Sequence, residues 1–233
     1  MHAQPVPLPR GLIVSCQAYE GEPLFGASIM AAMARAALEG GAVGIRANGP
    51  ADIAAIRAVT KRPIIGLYKL RAPGSPVYIT PTRAAATAVA EAGCDIIAVD
   101  VTPRPRPNGE TLAELIDYIH AVLGKPVMAD VSCVEDADLA AALGVEIIGT
   151  TLAGYTEHGR PPLDGPDFDL LAALLQRYDV PIVAEGRFHE PDQVTHAFDL
   201  GAHAVVIGSA ITRPQHITRR FVQAVPSTVD EPA

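Results

Sequence analysis

This chain of 233 residues contains little cysteine and little charge. Three cysteines, Cys16, Cys94 and Cys133, are too few for a disulfide framework, so we expect buried free thiols in a reducing compartment, the cytoplasm. Charged residues make up only 19% and hydrophobic residues 49%, which excludes a disordered chain and allows a sizeable core. The composition therefore predicts a folded cytoplasmic protein.

Long apolar runs are also missing. No stretch reaches the roughly 18 apolar residues of a membrane span, and Pro5, Pro7 and Pro9 precede the first apolar run, unlike in a signal peptide. We therefore expect no membrane partner. A net charge of −8 makes nucleic acid a poor partner too, because phosphate backbones bind basic surfaces. A local group of arginines and lysines would still suffice for one small phosphate.

Two sequence signatures of bound groups are absent. No G-x-G-x-x-G follows the first apolar run, which disfavours a dinucleotide site. The seven histidines include no H-x-H or H-E-x-x-H pairing, so no protein-bound metal is expected. We accordingly expect no cofactor.

Short apolar runs alternate with helical segments along the chain. Most runs are continuously apolar, as in strands buried on both faces. The predicted strands cover residues 12–17, 42–47, 63–69, 95–100, 126–131, 146–151, 181–185 and 204–209. The predicted helices cover residues 28–38, 50–59, 82–92, 110–122, 134–142, 167–177, 190–199 and 214–223. Eight alternations predict an α/β fold, a single (β/α)₈ TIM barrel over residues 1–233, with flexible tails at 1–10 and 226–233. An open doubly wound sheet is the alternative.

Polar residues follow every predicted strand, where the catalytic side chains of a barrel lie. They are Ser15, Cys16, Gln17, Arg46, Asn48, Lys69, Arg71, Asp100, Thr102, Arg104, Arg106, Asp130, Ser132, Thr150, Thr151, Glu185, Arg187, Ser209 and Arg213. The cations suit an anionic substrate, and Lys69 and the carboxylates suit proton transfer. Burial behind a strand would raise the pKa of Glu185 towards the range of a general acid. Each residue alone also fits a purely structural role, such as capping a helix or forming a salt bridge at the rim of the barrel. Cys16 also fits a thiol packed in the core, and Arg104 and Arg106 fit a solvated loop.

Two turns of small residues end the last two apolar runs. Glu185-Gly186-Arg187 follows one run, and Gly208-Ser209-Ala210 follows the other. A (β/α)₈ barrel often holds a ligand phosphate in the loops after strands 7 and 8. Glycine allows the backbone to approach the anion, and the N–H groups at a helix start face it. The turns therefore predict a phosphorylated small-molecule ligand.

Longer motifs, in order along the chain, resemble those of a known family. They are Leu12-Ile13-Val14-Ser15-Cys16-Gln17, Gly44-Ile45-Arg46-Ala47-Asn48, Val77-Tyr78-Ile79-Thr80-Pro81-Thr82, Ala129-Asp130-Val131-Ser132, Gly149-Thr150-Thr151-Leu152-Ala153-Gly154-Tyr155-Thr156, Ala184-Glu185-Gly186-Arg187 and Gly208-Ser209-Ala210-Ile211-Thr212-Arg213-Pro214. From about Leu12 to Arg213 the chain resembles the N-acetylmannosamine-6-phosphate 2-epimerases. The resemblance implies a (β/α)₈ barrel, commonly a homodimer, that acts in sialic acid breakdown. It also implies a phosphorylated amino sugar as substrate and no redox cofactor.

The resemblance also assigns roles to residues. It implies that Lys69 and Glu185 are catalytic. It also implies that the substrate is bound by Gln17, Arg46, Asp130, Gly186, Gly208 and Arg213. We add Arg187, the charged residue of the turn after the seventh strand, to this substrate-binding set. The chain departs from the family pattern after Lys69 and in the loop at His158-Gly159-Arg160.

Three other functions fit the same residues. A pentose-phosphate epimerase would use a similar barrel and phosphate site. An aldolase would form a Schiff base on Lys69. A regulatory barrel would bind a sugar phosphate without turning it over. Exchange of the hydrogen at C2 and borohydride trapping distinguish these functions from the 2-epimerase.

Overall fold

Eight parallel strands close into a barrel in the computed structural model, which describes residues 6–226. The strands are β1 (Gly11–Cys16), β2 (Gly44–Asn48), β3 (Ile64–Leu67), β4 (Ile96–Asp100), β5 (Val127–Asp130), β6 (Ile147–Gly149), β7 (Ile182–Glu185) and β8 (Ala204–Ile207). Each strand pairs with the next, and β8 returns to pair with β1. The predicted (β/α)₈ barrel is therefore confirmed, and the open sheet is excluded.

Helices follow the strands and surround the barrel. They are α1 (Ala27–Glu39), α2 (Pro50–Val59), α3 (Arg83–Glu91), α4 (Leu112–Tyr118), α5 (Val134–Ala142), α6 (Phe168–Arg177), α7 (Pro191–Leu200), α8 (Ser209–Thr212) and α9 (Pro214–Gln223). A π-helical turn, Ile119–Leu123, continues α4. The sequence placed Ser209 at the end of the last strand, but β8 ends at Ile207 and Ser209 begins the short helix α8. Gly208 between them allows the chain to turn there.

The side chains of each continuously apolar strand pack into two hydrophobic cores, one inside the barrel and one between the barrel and the helices. In β4, Ile96 and Ala98 belong to the cluster that fills the barrel, whereas Ile97 and Val99 belong to the cluster beneath the helices. Successive side chains of a strand point to opposite faces, so a strand buried on both faces is apolar at every position. This is why these strands show no alternation of polar and apolar residues.

The two ends of the barrel differ. Near the N-terminal ends of the strands, Leu8 packs against the apolar interior at 5% exposure, and its carbonyl accepts a 2.7 Å hydrogen bond from His203. The predicted flexible tail at 1–10 is therefore wrong at Leu8. Residues 1–5 and 227–233 lie outside the described residues.

The C-terminal ends of the strands carry the charges. Val183 of β7 and Met128 of β5 point into the barrel, so Glu185 and Asp130, two residues later, point inward as well. The same period in β2 places Arg46 inside, opposite the outward Ile45 and Ala47. The barrel therefore brings three charged side chains together above its apolar interior.

The cysteines only partly follow the sequence prediction. Cys16 and Cys94 are buried, and burial raises the pKa of each thiol to about 12. Cys133 is only partly buried, so the prediction of a buried thiol is wrong there. It lies in the loop after β5, just before α5, where the core does not reach.

Across residues 6–226, no helix is long and apolar enough to cross a membrane.

Candidate active site

A cavity of about 340 Å³ opens at the C-terminal ends of the strands. Eight of the nine site residues inferred from the sequence line it: Gln17, Arg46, Lys69, Glu185, Gly186, Arg187, Gly208 and Arg213. Asp130 is the exception, because it is fully buried beneath the cavity. The volume lies within the range of small-molecule sites.

Arg46, Asp130, Thr151 and Glu185 form what we call the inner cluster. Arg46 donates to Asp130 Oδ2 at 2.5 Å, and its Nη1 lies 3.1 Å from Glu185 Oε2. The Thr151 hydroxyl contacts both carboxylates, at 2.7 Å from Asp130 Oδ1 and 3.0 Å from Glu185 Oε2. Asp130 thus holds Arg46 and Thr151, while Glu185 keeps 14% of its side chain exposed. Glu185 is the carboxylate of this cluster that a ligand can reach.

Burial governs the protonation of this cluster. It raises the pKa of Glu185 above the ordinary 4.5, and the nearby Asp130 charge adds to the effect, although Arg46 opposes it. Burial by itself would lower the pKa of Arg46, but Asp130 and Glu185 outweigh it and raise that pKa. The raised pKa expected for Glu185 from the sequence is therefore confirmed. A carboxyl with a raised pKa gives up its proton less readily than an ordinary glutamate and is better suited to act as a general acid.

Two polar atoms at the cavity have no partner among residues 6–226. Gln17 Oε1 and Arg46 Nε are both buried without a hydrogen bond. Gln17 Nε2 donates to Ser15 Oγ at 2.8 Å, which holds the amide in place. Buried polar groups are normally hydrogen-bonded, so an unpaired acceptor and an unpaired donor point to a polar ligand.

A second group, the rim cluster, consists of Tyr19, Glu22, Lys69 and Arg213. Lys69 Nζ donates to Tyr19 Oη at 3.0 Å, and Arg213 lies 4.9 Å above the tyrosine ring. Arg213 Nη2 lies 3.3 Å from Glu22 Oε2, with about a fifth of each side chain exposed (17% and 22%). Tyr19 thus separates the cation predicted as the base from the cation predicted to hold phosphate.

The charges of the rim cluster act on Tyr19. Burial raises the pKa of this phenol, but the Lys69 and Arg213 charges outweigh burial and lower the pKa below its ordinary 10.0. Sequence reasoning missed Tyr19 and Glu22 because it considered only the residues next to each strand end. The signal was available, since both residues lie in the loop that follows β1, where barrels place functional groups.

The two glycine turns lie on one side of the cavity. Gly186 has φ 113°, a conformation that favours glycine, and Arg187 follows with φ 56°. Arg187 Nη1 donates to Ala153 O at 2.9 Å and its Nε to Gly165 O at 3.0 Å, so this guanidinium ties two loops together. Gly208 precedes α8, whose first N–H groups have no partner within the helix. Arg213, rather than Arg187, is therefore the better placed of the two arginines to bind an anion.

Other strand-end residues belong to a separate group outside the cavity lining. Asp100 is fully buried and pairs with Arg104 at 2.7 Å, and its carbonyl accepts a hydrogen bond from Arg106. Burial raises the pKa of Asp100, and bonds from Thr102 and Arg104 oppose the rise. Arg106 is only 8% exposed, so it does not lie in the solvated loop considered from the sequence. This group supports the loop after β4 instead of the cavity.

One group of metal-binding side chains lies among the residues that the structure describes. Cys133, Asp136 and His158 place their ligand atoms within 4.8 Å of one another. They belong to the start of α5 and to the loop after β6, outside the lining of the cavity. The cavity itself combines a lysine, a protonatable glutamate and paired arginines, which suits proton transfer on an anionic substrate.

The fold and this site define a (β/α)₈ barrel with charged groups at the C-terminal ends of its strands, the usual place of catalysis in such barrels. A family model described as "Putative N-acetylmannosamine-6-phosphate epimerase" matches residues 30–227. The chain belongs to this family, and the resemblance inferred from its motifs is confirmed.

Individual relatives agree with the family match. The chain is 51% identical over 216 residues to a "Putative N-acetylmannosamine-6-phosphate 2-epimerase" of Caldanaerobacter subterraneus subsp. tengcongensis, covering 92% of this chain and 91% of that protein. A protein of the same description from Clostridioides difficile is 49% identical, with 92% and 95% covered. The solved structure of the N-acetylmannosamine-6-phosphate 2-epimerase from Clostridium perfringens is 43% identical, with a TM-score of 0.91 over 97% of this chain and 98% of that one.

Proposed function

We propose that this chain interconverts N-acetylmannosamine 6-phosphate and N-acetylglucosamine 6-phosphate, as an N-acylglucosamine-6-phosphate 2-epimerase in sialic acid breakdown. The observation that carries the proposal is a cavity that joins a lysine, a glutamate of raised pKa and an arginine, Arg213, whose partner Glu22 lies at the rim. The family match supports the same substrate.

The reaction inverts one carbon of the sugar. Ring opening makes C1 an aldehyde, which acidifies the hydrogen at C2. Loss of that proton leaves an enolate, and return of a proton on the opposite face of C2 produces the epimer. The enzyme therefore needs a base, a group that stabilises the oxyanion, and a fixed substrate.

The residues at the cavity supply these groups. Lys69 takes the proton from C2, and Glu185 moves protons during ring opening and closure. Arg46 is held by Asp130 and carries its charge into the cavity floor, where it stabilises the enolate. The unpaired Gln17 Oε1 accepts a hydrogen bond from a sugar hydroxyl.

The phosphate lies at the rim. Arg213 exchanges Glu22 for the phosphate, and the backbone at Gly186 and Gly208 approaches it closely. Arg187 keeps the neighbouring loops in position, since it bonds to their carbonyl groups. Binding the phosphate far from C2 orients the reacting carbon between Lys69 and Glu185.

Proton NMR in deuterium oxide tests the proposal. With N-acetylmannosamine 6-phosphate, we expect deuterium at C2 and accumulation of N-acetylglucosamine 6-phosphate. Saturable binding without exchange or product would overturn the epimerase and favour a regulatory barrel. A substrate adduct trapped on Lys69 by borohydride would favour the Schiff-base aldolase instead. Turnover of a pentose phosphate in place of the amino sugar would indicate the third alternative.

We also propose that the chain is a homodimer. Phe221 and Val222 near the end of α9 and Val225 just after it are exposed at 74%, 61% and 67%, although such side chains are normally buried. A second copy would cover them. Light scattering of the full chain should give twice the monomer mass, and Phe221→Asp should yield monomer. A monomeric wild-type protein would refute this assembly.

The three free thiols support a cytoplasmic location.

A further inference from the structure

Three metal-binding side chains converge outside the catalytic cavity, from two loops. Cys133 is the N-cap residue of α5, and Asp136 lies in the first turn of that helix. His158 comes from the loop between β6 and α6 and places Nε2 at 3.0 Å from Asp136 Oδ1. No step of the proposed reaction uses any of them. The three residue types, a thiol, a carboxylate and an imidazole, are the ones that bind zinc in proteins.

The ligand atoms of the group face one another: His158 Nε2 donates to Asp136 Oδ1 at 3.0 Å and lies 3.2 Å from Ser132 Oγ, and an entering ion replaces these contacts. Asp136 Oδ2 accepts from the backbone N–H and the hydroxyl of Ser132, at 2.9 and 2.6 Å. These bonds orient the buried carboxylate and turn Oδ1 towards His158. A ligand carboxylate fixed by other hydrogen bonds is typical of metal sites.

The spacing fits a tetrahedral ion. With zinc bonds of about 2.0 Å to nitrogen and oxygen, the two ligand atoms of a tetrahedron lie roughly 3.3 Å apart. His158 Nε2 and Asp136 Oδ1 are 3.0 Å apart, and all three ligand atoms lie within 4.8 Å. His158 is 33% exposed, so an ion and a fourth ligand, water, can enter from solvent.

We propose that Cys133, Asp136 and His158 form a binding site for Zn²⁺ or a similar divalent transition metal. The metal joins the loop after β6 to the start of α5. Binding releases the Cys133 thiol proton to solvent, and the proton that His158 Nε2 donates to Asp136 moves to Nδ1 or to solvent, so no other reactant is needed. The spacing Cys133-x-x-Asp136 with His158 22 residues later matches none of the histidine patterns considered in the sequence, which is why no metal was expected there.

Cobalt and zinc titrations of the full, untagged chain test the site. We expect one Co²⁺ per chain with a thiolate-to-cobalt absorption band, displaced by Zn²⁺ in calorimetry. Cys133→Ser removes the thiolate but keeps a good helix N-cap, so its folding should be unaffected. His158→Gln removes the imidazole but keeps a donor for Asp136. Loss of an outer-shell partner alone costs about 10–100-fold in metal affinity, so each variant should lose at least about 100-fold.

The His120–Glu146 pair is the matched control. Its imidazole lies 3.2 Å from a carboxylate, close to the 3.0 Å of the His158–Asp136 pair, but no thiol completes a three-ligand group with it among residues 6–226. His120→Gln should leave the cobalt band and the zinc affinity unchanged. Absence of a thiolate band in the wild type, or unchanged zinc affinity in both Cys133→Ser and His158→Gln, would overturn the site. Neither readout depends on the epimerase activity.

Discussion

The inner cluster and the rim cluster line the same cavity but balance their charges differently. In the inner cluster, Arg46 is 1% exposed and lies between Asp130 and Glu185, so two carboxylates compensate one cation inside the barrel. In the rim cluster, Arg213 faces Glu22 with both side chains partly in solvent. One set of charges is enclosed by the fold, whereas the other lies where water and ligand can reach it.

This difference separates two tasks. Removing one partner of a buried ion pair costs about 3–5 kcal/mol, because the other charge stays buried without compensation. A solvated pair contributes only about 0–1 kcal/mol, since water replaces the lost partner. The inner cluster is therefore part of the folded core and holds the proposed catalytic carboxylate Glu185 in place. The rim cluster exchanges partners at little cost, as capture of an anion requires.

Arg46→Met and Arg213→Met test this difference most directly. We expect Arg46→Met to lower the free energy of unfolding by about 3–5 kcal/mol and to abolish turnover. Arg213→Met should lower it by at most about 1 kcal/mol. Urea unfolding followed by circular dichroism measures both. Equal losses of stability in the two variants would show that the clusters do not differ as the structure indicates.

Lys69→Met should separate catalysis from folding within the rim cluster. General base catalysis contributes roughly 10²–10⁴-fold, so turnover should fall by that factor. The free energy of unfolding should change by no more than about 0.5 kcal/mol, because Lys69 Nζ lies at the cavity rim. Lys61→Met, at an exposed position, is the control and should keep full activity. Near-normal turnover in folded Lys69→Met would exclude this lysine as the base.

Glu185→Gln should change how stability depends on pH. Burial raises the folded-state pKa of Glu185, so the native protein keeps this proton at pH values where the unfolded chain has lost it. The resulting stabilisation is complete below the ordinary glutamate pKa of 4.5 and is lost as pH rises through the raised pKa. Glutamine has no such dependence, so the stability of the variant relative to wild type should increase with pH across this window. Urea unfolding at several pH values measures it, and a constant difference would refute the raised pKa.

Arg213→Ala should affect binding more than turnover. A hydrogen bond to a charged group contributes about 1.5–3 kcal/mol, so KM for the sugar phosphate should rise roughly 10–100-fold. The value of kcat should fall less, because phosphate contacts are shared by the ground state and the transition state. Arg187→Ala provides the comparison: it should reduce stability, since Arg187 bonds to the carbonyls of two loops. A larger KM effect in Arg187→Ala would assign the phosphate to that arginine instead.

Glu22→Gln should produce the smallest effect. Without its negative charge, Glu22 competes less well with phosphate for Arg213. Because an exposed pair contributes about 0.2–1 kcal/mol, the inhibition constant for inorganic phosphate should fall by up to about fivefold. Glu20→Gln removes the same charge two residues away, at an exposed position. If both variants tighten phosphate binding equally, the effect is one of net charge and the Glu22–Arg213 contact has no role.

Several site residues were predictable because they stand at fixed places in a repeated unit. Lys69, Glu185 and Arg46 follow or end apolar runs, and every such position in a barrel faces the same end. Tyr19 and Glu22 were not predictable in this way, because a loop of irregular backbone decides where they point. The group at Asp100 shows that a strand end can carry charged residues without contributing to the cavity. There, Arg104 and Arg106 bond to Asp100 and support the loop after β4.

The sequence by itself determined the barrel, the strand ends at which charges occur and the family. Eight continuous apolar runs separated by helical segments can bury both faces of each strand only inside a layer of helices. Only the tertiary structure decided which charges pair. Arg46 meets Asp130, 84 positions away, because closure of the barrel brings Arg46 of β2 to one level with the last inward positions of β5 and β7. The same closure placed Cys133 and Asp136 against His158, since the loops after neighbouring parallel strands emerge side by side.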